Sequence, residues 1–123
     1  RTDSHTEALT VIGEVEGKDV IIVDDEVDTG GTICDAIKVL KENNAEDVYV
    51  CFIHPVLSAD ASDRLRAQPI RKIVTTNSVP LPAEKRLPNM VVISVSPLLA
   101  GVIRRVHEGR SVGEMFDPYH GYS

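Results

Sequence analysis

The residues that could do chemistry gather in one stretch, Asp24-Asp25-Glu26-Val27-Asp28-Thr29-Gly30-Gly31-Thr32. It follows the β-branched run Val20-Ile21-Ile22-Val23 and precedes a helical pattern, so it joins a strand end to a helix N-terminus. The paired glycines allow a tight turn and let a ligand approach the backbone without meeting a Cβ. The free N–H groups of a helix start, aided by its dipole, favour a phosphate. Thr29 and Thr32 add hydroxyl donors. Asp24 and Asp25 leave the strand end beside that position, where carboxylates suit sugar hydroxyls or a Mg²⁺ ion. A phosphate at one end and hydroxyls at the other describe a sugar phosphate. The bland alternative is a capped turn with solvated acids, which leaves four acids within five positions (24–28) as surface decoration. Like charges so placed repel unless something positive or hydroxylated binds there.

Elements must position this stretch. Val20–Val23 lacks polar alternation and reads as a strand buried on both faces, as in parallel sheets. Ile33, Ala36, Ile37 and Leu40 fall at helical spacing, and Asn43-Asn44 supplies a left-handed stop. Val48–Ile53 is a second strand. Ser58 is placed to cap a short helix from Ala59 to Arg66. Ile70–Thr75 is a third strand, and residues 77–89, with Pro80, Pro82 and Pro88, form a loop. Met90–Ile93 is a fourth strand. Ser96-Pro97 opens a helix, whose Leu99, Val102, Ile103 and Val106 form a stripe expected to face the core, with Gly109 as its stop. Alternating strands and helices imply an α/β fold with a mostly parallel, twisted sheet flanked by helices. Ligands bind at the carboxyl ends of such strands.

Composition sets limits. The chain has 123 residues and 42% hydrophobic residues, enough for one domain with a real core. A net charge of −6 argues against a general nucleic-acid binder. No apolar run reaches the roughly 18 residues of a membrane span, and the polar start has no signal-peptide core. Cys34 and Cys51 lie far apart, with no metal-ligand spacing, and read as buried free thiols of a cytoplasmic protein. The loop is neither a P-loop, which needs a Gly-Lys-Ser/Thr ending, nor a dinucleotide fingerprint, which needs a third spaced glycine. The first residue is Arg rather than Met, and a fragment of a longer protein is expected.

The Asp24–Thr32 stretch resembles the phosphoribosyl-diphosphate-binding loop of the type I phosphoribosyltransferase superfamily. Four further segments narrow the resemblance to the ribose-phosphate pyrophosphokinases: Ala8 to Gly17, His54 to Ser58, Thr75 to Pro82, and Ser94 to Ala100 with Ile103 and Val106-His107. The resemblance is to the C-terminal domain of a two-domain parent. It implies residues 9–123 as that phosphoribosyltransferase-like domain and residues 1–8 as the mobile end of a catalytic loop, with Arg1 as a remnant of that loop's basic pair. It implies that Asp28, Thr29, Gly30, Gly31 and Thr32 cradle the 5-phosphate of ribose 5-phosphate. Asp24, with Asp25, would hold the ribose hydroxyls, directly or through substrate-bound Mg²⁺. The activity implied is diphosphoryl transfer from ATP, giving phosphoribosyl diphosphate and AMP, in a homo-oligomer. The domain alone would be inactive, since the ATP site belongs to the other domain.

Glu26 departs from the family, where an apolar residue is usual, and is expected to point to water. His54, at a strand end, is either functional or a hydrogen-bonded structural histidine. His107, near a helix end, suits the dipole. Ser94 and Ser96 suit either a regulatory phosphate site or capping. A base-transferring phosphoribosyltransferase and a non-catalytic regulatory homologue are the competing readings. The first needs a hood for the base, for which 123 residues leave little room. The second turns on whether a basic loop and an ATP domain precede Arg1.

Overall fold

The computed structural model describes residues 10–117. Arg1 and the expected loop end at 1–8 lie outside them, as do His5 and His120. Four strands, β1 (Val20–Glu26), β2 (Val48–His54), β3 (Ile70–Thr76) and β4 (Met90–Ile93), form one sheet in the order β1-β2-β3-β4. Every neighbouring pair is parallel. The α/β class and the parallel sheet are therefore as the sequence implies. Helices α1 (Gly31–Glu42) and α2 (Ala61–Arg66) connect the first three strands. Helix α3 (Ser96–His107) follows β4. The proline-containing loop holds one short 3-10 turn, Ala83–Lys85.

The chain divides into two compact units, one ending at Ile93 and the other beginning at Ser94. The core of the first joins Ile33, Ile37 and Leu40 of α1 and Ala61 and Leu65 of α2 to Val48, Val50, Phe52 and Ile73 of the sheet. Helices α1 and α2 thus cover the same sheet face. The pleat sends Ile21, Val23, Ile53, Val91 and Ile93 the other way, and these side chains stay exposed, so β1 is covered on one face rather than buried on both as its unbroken apolar run suggests. Before β1, Val11 and Val15 pack on the core's margin, and the chain runs beside the α1–β2 turn through Gly17 N to Asn44 O (2.9 Å) and Glu46 N to Lys18 O (2.9 Å). Asn44 takes φ +59°, the left-handed stop expected after α1.

Four further expectations need correction. The stripe on α3 is not core: no residue of the helix is buried, and Leu99, Ile103 and Val106 are 55%, 69% and 65% exposed. Among the described residues the second unit offers α3 only the short turn Gly113–Phe116, whose Met115 side chain packs against Gly101. One turn cannot enclose a helix face. Helix α2 starts at Ala61 with Asp60 at the cap position, not at Ala59 behind Ser58. Leu57 (φ +44°) and Ala59 (φ +49°) are both left-handed, which delays the helix. At α3 the cap position is Val95, and Ser96 is the first helical residue. The cysteines are free, but half-buried rather than buried. Burial, reinforced by Asp35 and opposed by Arg64, pushes the Cys34 thiol up from its ordinary value.

Candidate functional site

The carboxyl end of β1 runs through a short loop into α1, and the loop's shape follows from its residues. Gly30 sits at the helix cap position with φ +77°, a conformation that strains any residue with a Cβ. It is also buried, with Ala61 and Leu65 of α2 just beyond the place of a Cβ. Gly31 differs. Its φ is ordinary, and an added Cβ would meet only Thr29 Oγ1 at 3.8 Å. The protein therefore leaves open space at Gly31, on the side of the loop where a ligand would sit.

Among the described residues no side chain caps α1, and no acid lies in its first turn. The N–H groups of Gly31, Thr32 and Ile33 therefore carry the helix's positive end without a neutralising side chain. They border a hollow of about 180 Å³ whose wall includes Asp24, Asp28, Thr29, Gly30, Gly31 and Thr32. The structure thus brings together six of the seven substrate-binding residues that the sequence implies. Asp25 is the exception. The pleat sends Asp24 and Glu26 to one face of β1 and Asp25 to the other, so Glu26, expected to face water, lines the hollow while remaining exposed. The carboxylates are also ordered locally. Asp25 N donates to Asp24 Oδ1 (2.8 Å) and Glu26 N to Asp25 Oδ1 (2.9 Å).

A larger hollow, about 510 Å³, lies between α1 and the α2–β3 connection. It sets Lys38 and Lys41 against Asp35 and Glu42, and Lys41 Nζ is spent on the Ala45 and Glu46 carbonyls. It lacks the free helix start, and the smaller hollow is the better anion site.

The loop rests on a second one. Register pairs Glu26 with His54, so the chain leaving β2 runs beside the chain leaving β1. Val27 N donates to His54 O (3.1 Å), Leu57 N to Val27 O (2.9 Å) and Ser58 N to Asp28 O (3.0 Å). The Ser58 hydroxyl also donates to Asp28 Oδ1. Sequence reading gave Ser58 only the role of a helix cap; its true partner lies 30 positions away, and only the strand pairing brings it near. His54 has a structural partner, with Nδ1 sharing a 2.8 Å hydrogen bond with Ser78 Oγ. Ser78 Oγ and Thr76 Oγ1 both bond the Ile53 carbonyl, tying the ends of β2 and β3. In the second unit, Ser94 Oγ accepts from Ser96 N (3.2 Å), which gives Ser94 the capping role at the start of α3.

Among the described residues no three His, Cys, Asp or Glu side chains gather as a metal site. No helix there is long and apolar enough to cross a membrane.

Comparison with known proteins agrees with this fold. A family described as the phosphoribosyl synthetase-associated domain matches residues 2–117. A ribose-phosphate pyrophosphokinase of Listeria ivanovii is 49% identical over 111 residues, covering 90% of this chain and 35% of the relative. One from Bacillus subtilis is 46% identical over 110 residues, covering 89% and 35%. The solved structure of phosphoribosylpyrophosphate synthetase from Mycobacterium smegmatis superposes with a TM-score of 0.78 at 44% identity, covering 80% of this chain and 33% of that one. The chain spans about a third of the length of the curated relatives it matches.

Proposed function

The chain belongs to the phosphoribosyl synthetase-associated domain family, and from that premise we propose that it is the ribose 5-phosphate-binding part of a ribose-phosphate pyrophosphokinase. It corresponds to the C-terminal, phosphoribosyltransferase-like domain of the parent. The observation that carries the reading is the uncapped, glycine-led start of α1 beside Asp24 at the carboxyl end of β1. A phosphate dianion takes the N–H groups of the first helical turn and the hydroxyls of Thr29 and Thr32. Asp24 accepts from the ribose hydroxyls. Asp25, on the other face of β1, contributes by bonding the Glu26 N–H and so holding the strand end, rather than by touching the sugar.

In the reaction, the anomeric hydroxyl attacks the β-phosphorus of ATP. A C1–O–P link forms, the bond between the α- and β-phosphoryl groups breaks, and AMP leaves with the electron pair. The hydroxyl proton is lost to solvent. This portion of the chain supplies position: it fixes the sugar by both ends so that the anomeric oxygen is presented to the nucleotide. Mg²⁺ neutralises charge on the phosphates when bound. Asp24, at the carboxyl end of β1, would hold such an ion beside the sugar hydroxyls. ATP-binding groups, assembly into a homo-oligomer and a cytoplasmic setting belong to the same proposal for the whole protein.

The test is phosphorus NMR of the parent protein with ATP, ribose 5-phosphate and Mg²⁺. AMP and a new diphosphate ester at ribose C1 are expected together. Untouched ATP with retained ribose 5-phosphate binding would overturn the synthetase reading in favour of a base-transferring enzyme or a regulatory homologue.

A further inference from the structure

A carboxylate in a phosphate cradle needs an explanation, because two like charges in a small, partly dehydrated hollow repel. Asp28 lines the hollow with Thr29 and Gly30, and its side chain is exposed. A free carboxylate there could rotate about χ1 into the volume that a phosphate must occupy. It is not free: Oδ1 accepts from Ser58 Oγ, while the Asp28 carbonyl accepts from Ser58 N (3.0 Å). Ser58 is itself fixed. It lies between the left-handed residues Leu57 and Ala59, Leu57 is fully buried, and the Ser58 carbonyl accepts from Ala61 N (3.1 Å) at the start of α2. Two strained backbone conformations so close together persist only where the surroundings over-determine them. Here they aim one residue at Asp28.

We propose that Ser58 is a positioning residue of the phosphate site, whose hydroxyl anchors the Asp28 carboxylate at the wall of the hollow and keeps its charge out of the phosphate's place. The inference rests on the sugar-phosphate reading of the hollow. Asp28 then serves the phosphate through its backbone, and its side chain serves as an anchor point that Ser58 holds.

The charge argument separates this role from a purely architectural one. Binding of ribose 5-phosphate to the full chain is measured by titration calorimetry for a double-mutant cycle. Ser58→Ala keeps the backbone bonds but frees the carboxylate, and Kd should rise about five- to tenfold, the cost of one mobile like charge near a bound dianion. Asp28→Asn keeps an acceptor for Ser58 and removes the charge, so it should bind at least as tightly as wild type. The decisive variant is Ser58→Ala with Asp28→Asn, in which the lost affinity should return to within about twofold of wild type. Ser58→Thr, which keeps the hydroxyl, should bind as wild type does. If the double variant binds as poorly as Ser58→Ala, the hydroxyl acts through loop shape and the proposal is overturned while the site stands. If wild type itself shows no saturable binding, the sugar-phosphate reading falls and takes this proposal with it.

Discussion

Helices α1 and α3 are the same length, 12 residues each, and both carry an apolar stripe at helical spacing. Their fates differ completely. Helix α1 buries Ile33, Ile37 and Leu40 against Val48, Val50 and Ile73 of the sheet, whereas α3 buries nothing. Their N-termini differ too, although at neither does the cap residue's own side chain bond the helix. The start of α1 emerges at the carboxyl end of a parallel strand, behind two glycines and beside Asp24. That of α3 follows Ser94 and Val95 and carries a proline in its first turn. A periodic pattern states which side of a helix is apolar. What covers that side is a property of the neighbours, and an open helix start becomes a site only when the preceding strand brings partners to it.

The largest expected effect tests the packing half of this contrast. Ile37 is 0% exposed, so Ile37→Ala should lower the unfolding free energy by about 2–5 kcal/mol in urea titrations. Ile103 has the same chemistry on α3 at 69% exposure, and Ile103→Ala should stay within about 0.5 kcal/mol. Equal losses would show that the α3 stripe is covered in solution and would dissolve the comparison.

The next effects contrast the glycines of the two helices. Gly30→Ala places a Cβ at φ +77° and should cost about 1–2 kcal/mol. At Gly31 a new Cβ meets nothing nearer than Thr29 Oγ1 at 3.8 Å, so the stability cost of Gly31→Val should be no more than about 0.7 kcal/mol. Its effect on ligand should be far greater: the new side chain fills the space against the first helical turn, and calorimetric binding of ribose 5-phosphate should vanish. Normal affinity would mean that the phosphate does not approach the backbone there. On α3, a Cβ at Gly101 would lie 2.8 Å from Met115 Cε, the far end of a flexible side chain. Gly101→Ala should therefore move Met115 aside and change the melting temperature little, since the better helix propensity of Ala offsets the shift.

Much of this was legible beforehand, for identifiable reasons. All four strands announce themselves as β-branched runs, and the β1–α1 loop stands out as glycines paired with acids, which the structure gathers round one hollow. Asp25 falls outside the hollow because adjacent residues of a strand face opposite ways, and the run of acids hides that alternation. Ser58 was missed because its partner is set by the Glu26–His54 register, which no local pattern encodes. The α3 stripe misleads because its periodicity is as good as that of α1, and what distinguishes them is that no sheet faces α3 among the described residues of its own unit. The late start of α2 reflects two non-glycine residues in left-handed conformations, which local propensity disfavours and tertiary contacts impose.

A smaller effect sharpens the point that facing neighbours decide. Thr75 on β3 is 1% exposed, and among the described residues its Oγ1 has no hydrogen-bond partner. The hydroxyl was desolvated on folding and gains nothing in return. Thr75→Val keeps the shape and removes the orphan, so it should raise stability by about 1 kcal/mol; a loss instead would reveal a buried water or a partner bonding Oγ1.

The smallest effect concerns charge on an open surface, where no neighbour encloses anything. On α2, Arg64 Nε lies 3.0 Å from Asp60 Oδ1, and that hydrogen bond holds the Asp60 carboxyl below its ordinary range. A carboxyl depressed in the folded state binds protons more readily when unfolded. Its contribution is therefore present above the ordinary aspartate value of about 3.9 and fades as pH falls towards the lowered folded value. Both side chains are about half exposed, at 48% and 55%, so solvent screens the pair. Asp60→Asn should leave the acid limb of a melting-temperature profile only slightly flatter below about pH 4, and the neutral plateau almost unmoved. A drop comparable to that of Ile37→Ala would mean that Asp60 does more than pair with Arg64: at the cap of α2, it would then hold in place the neighbouring Ala61, which packs beside Gly30 of the β1–α1 loop.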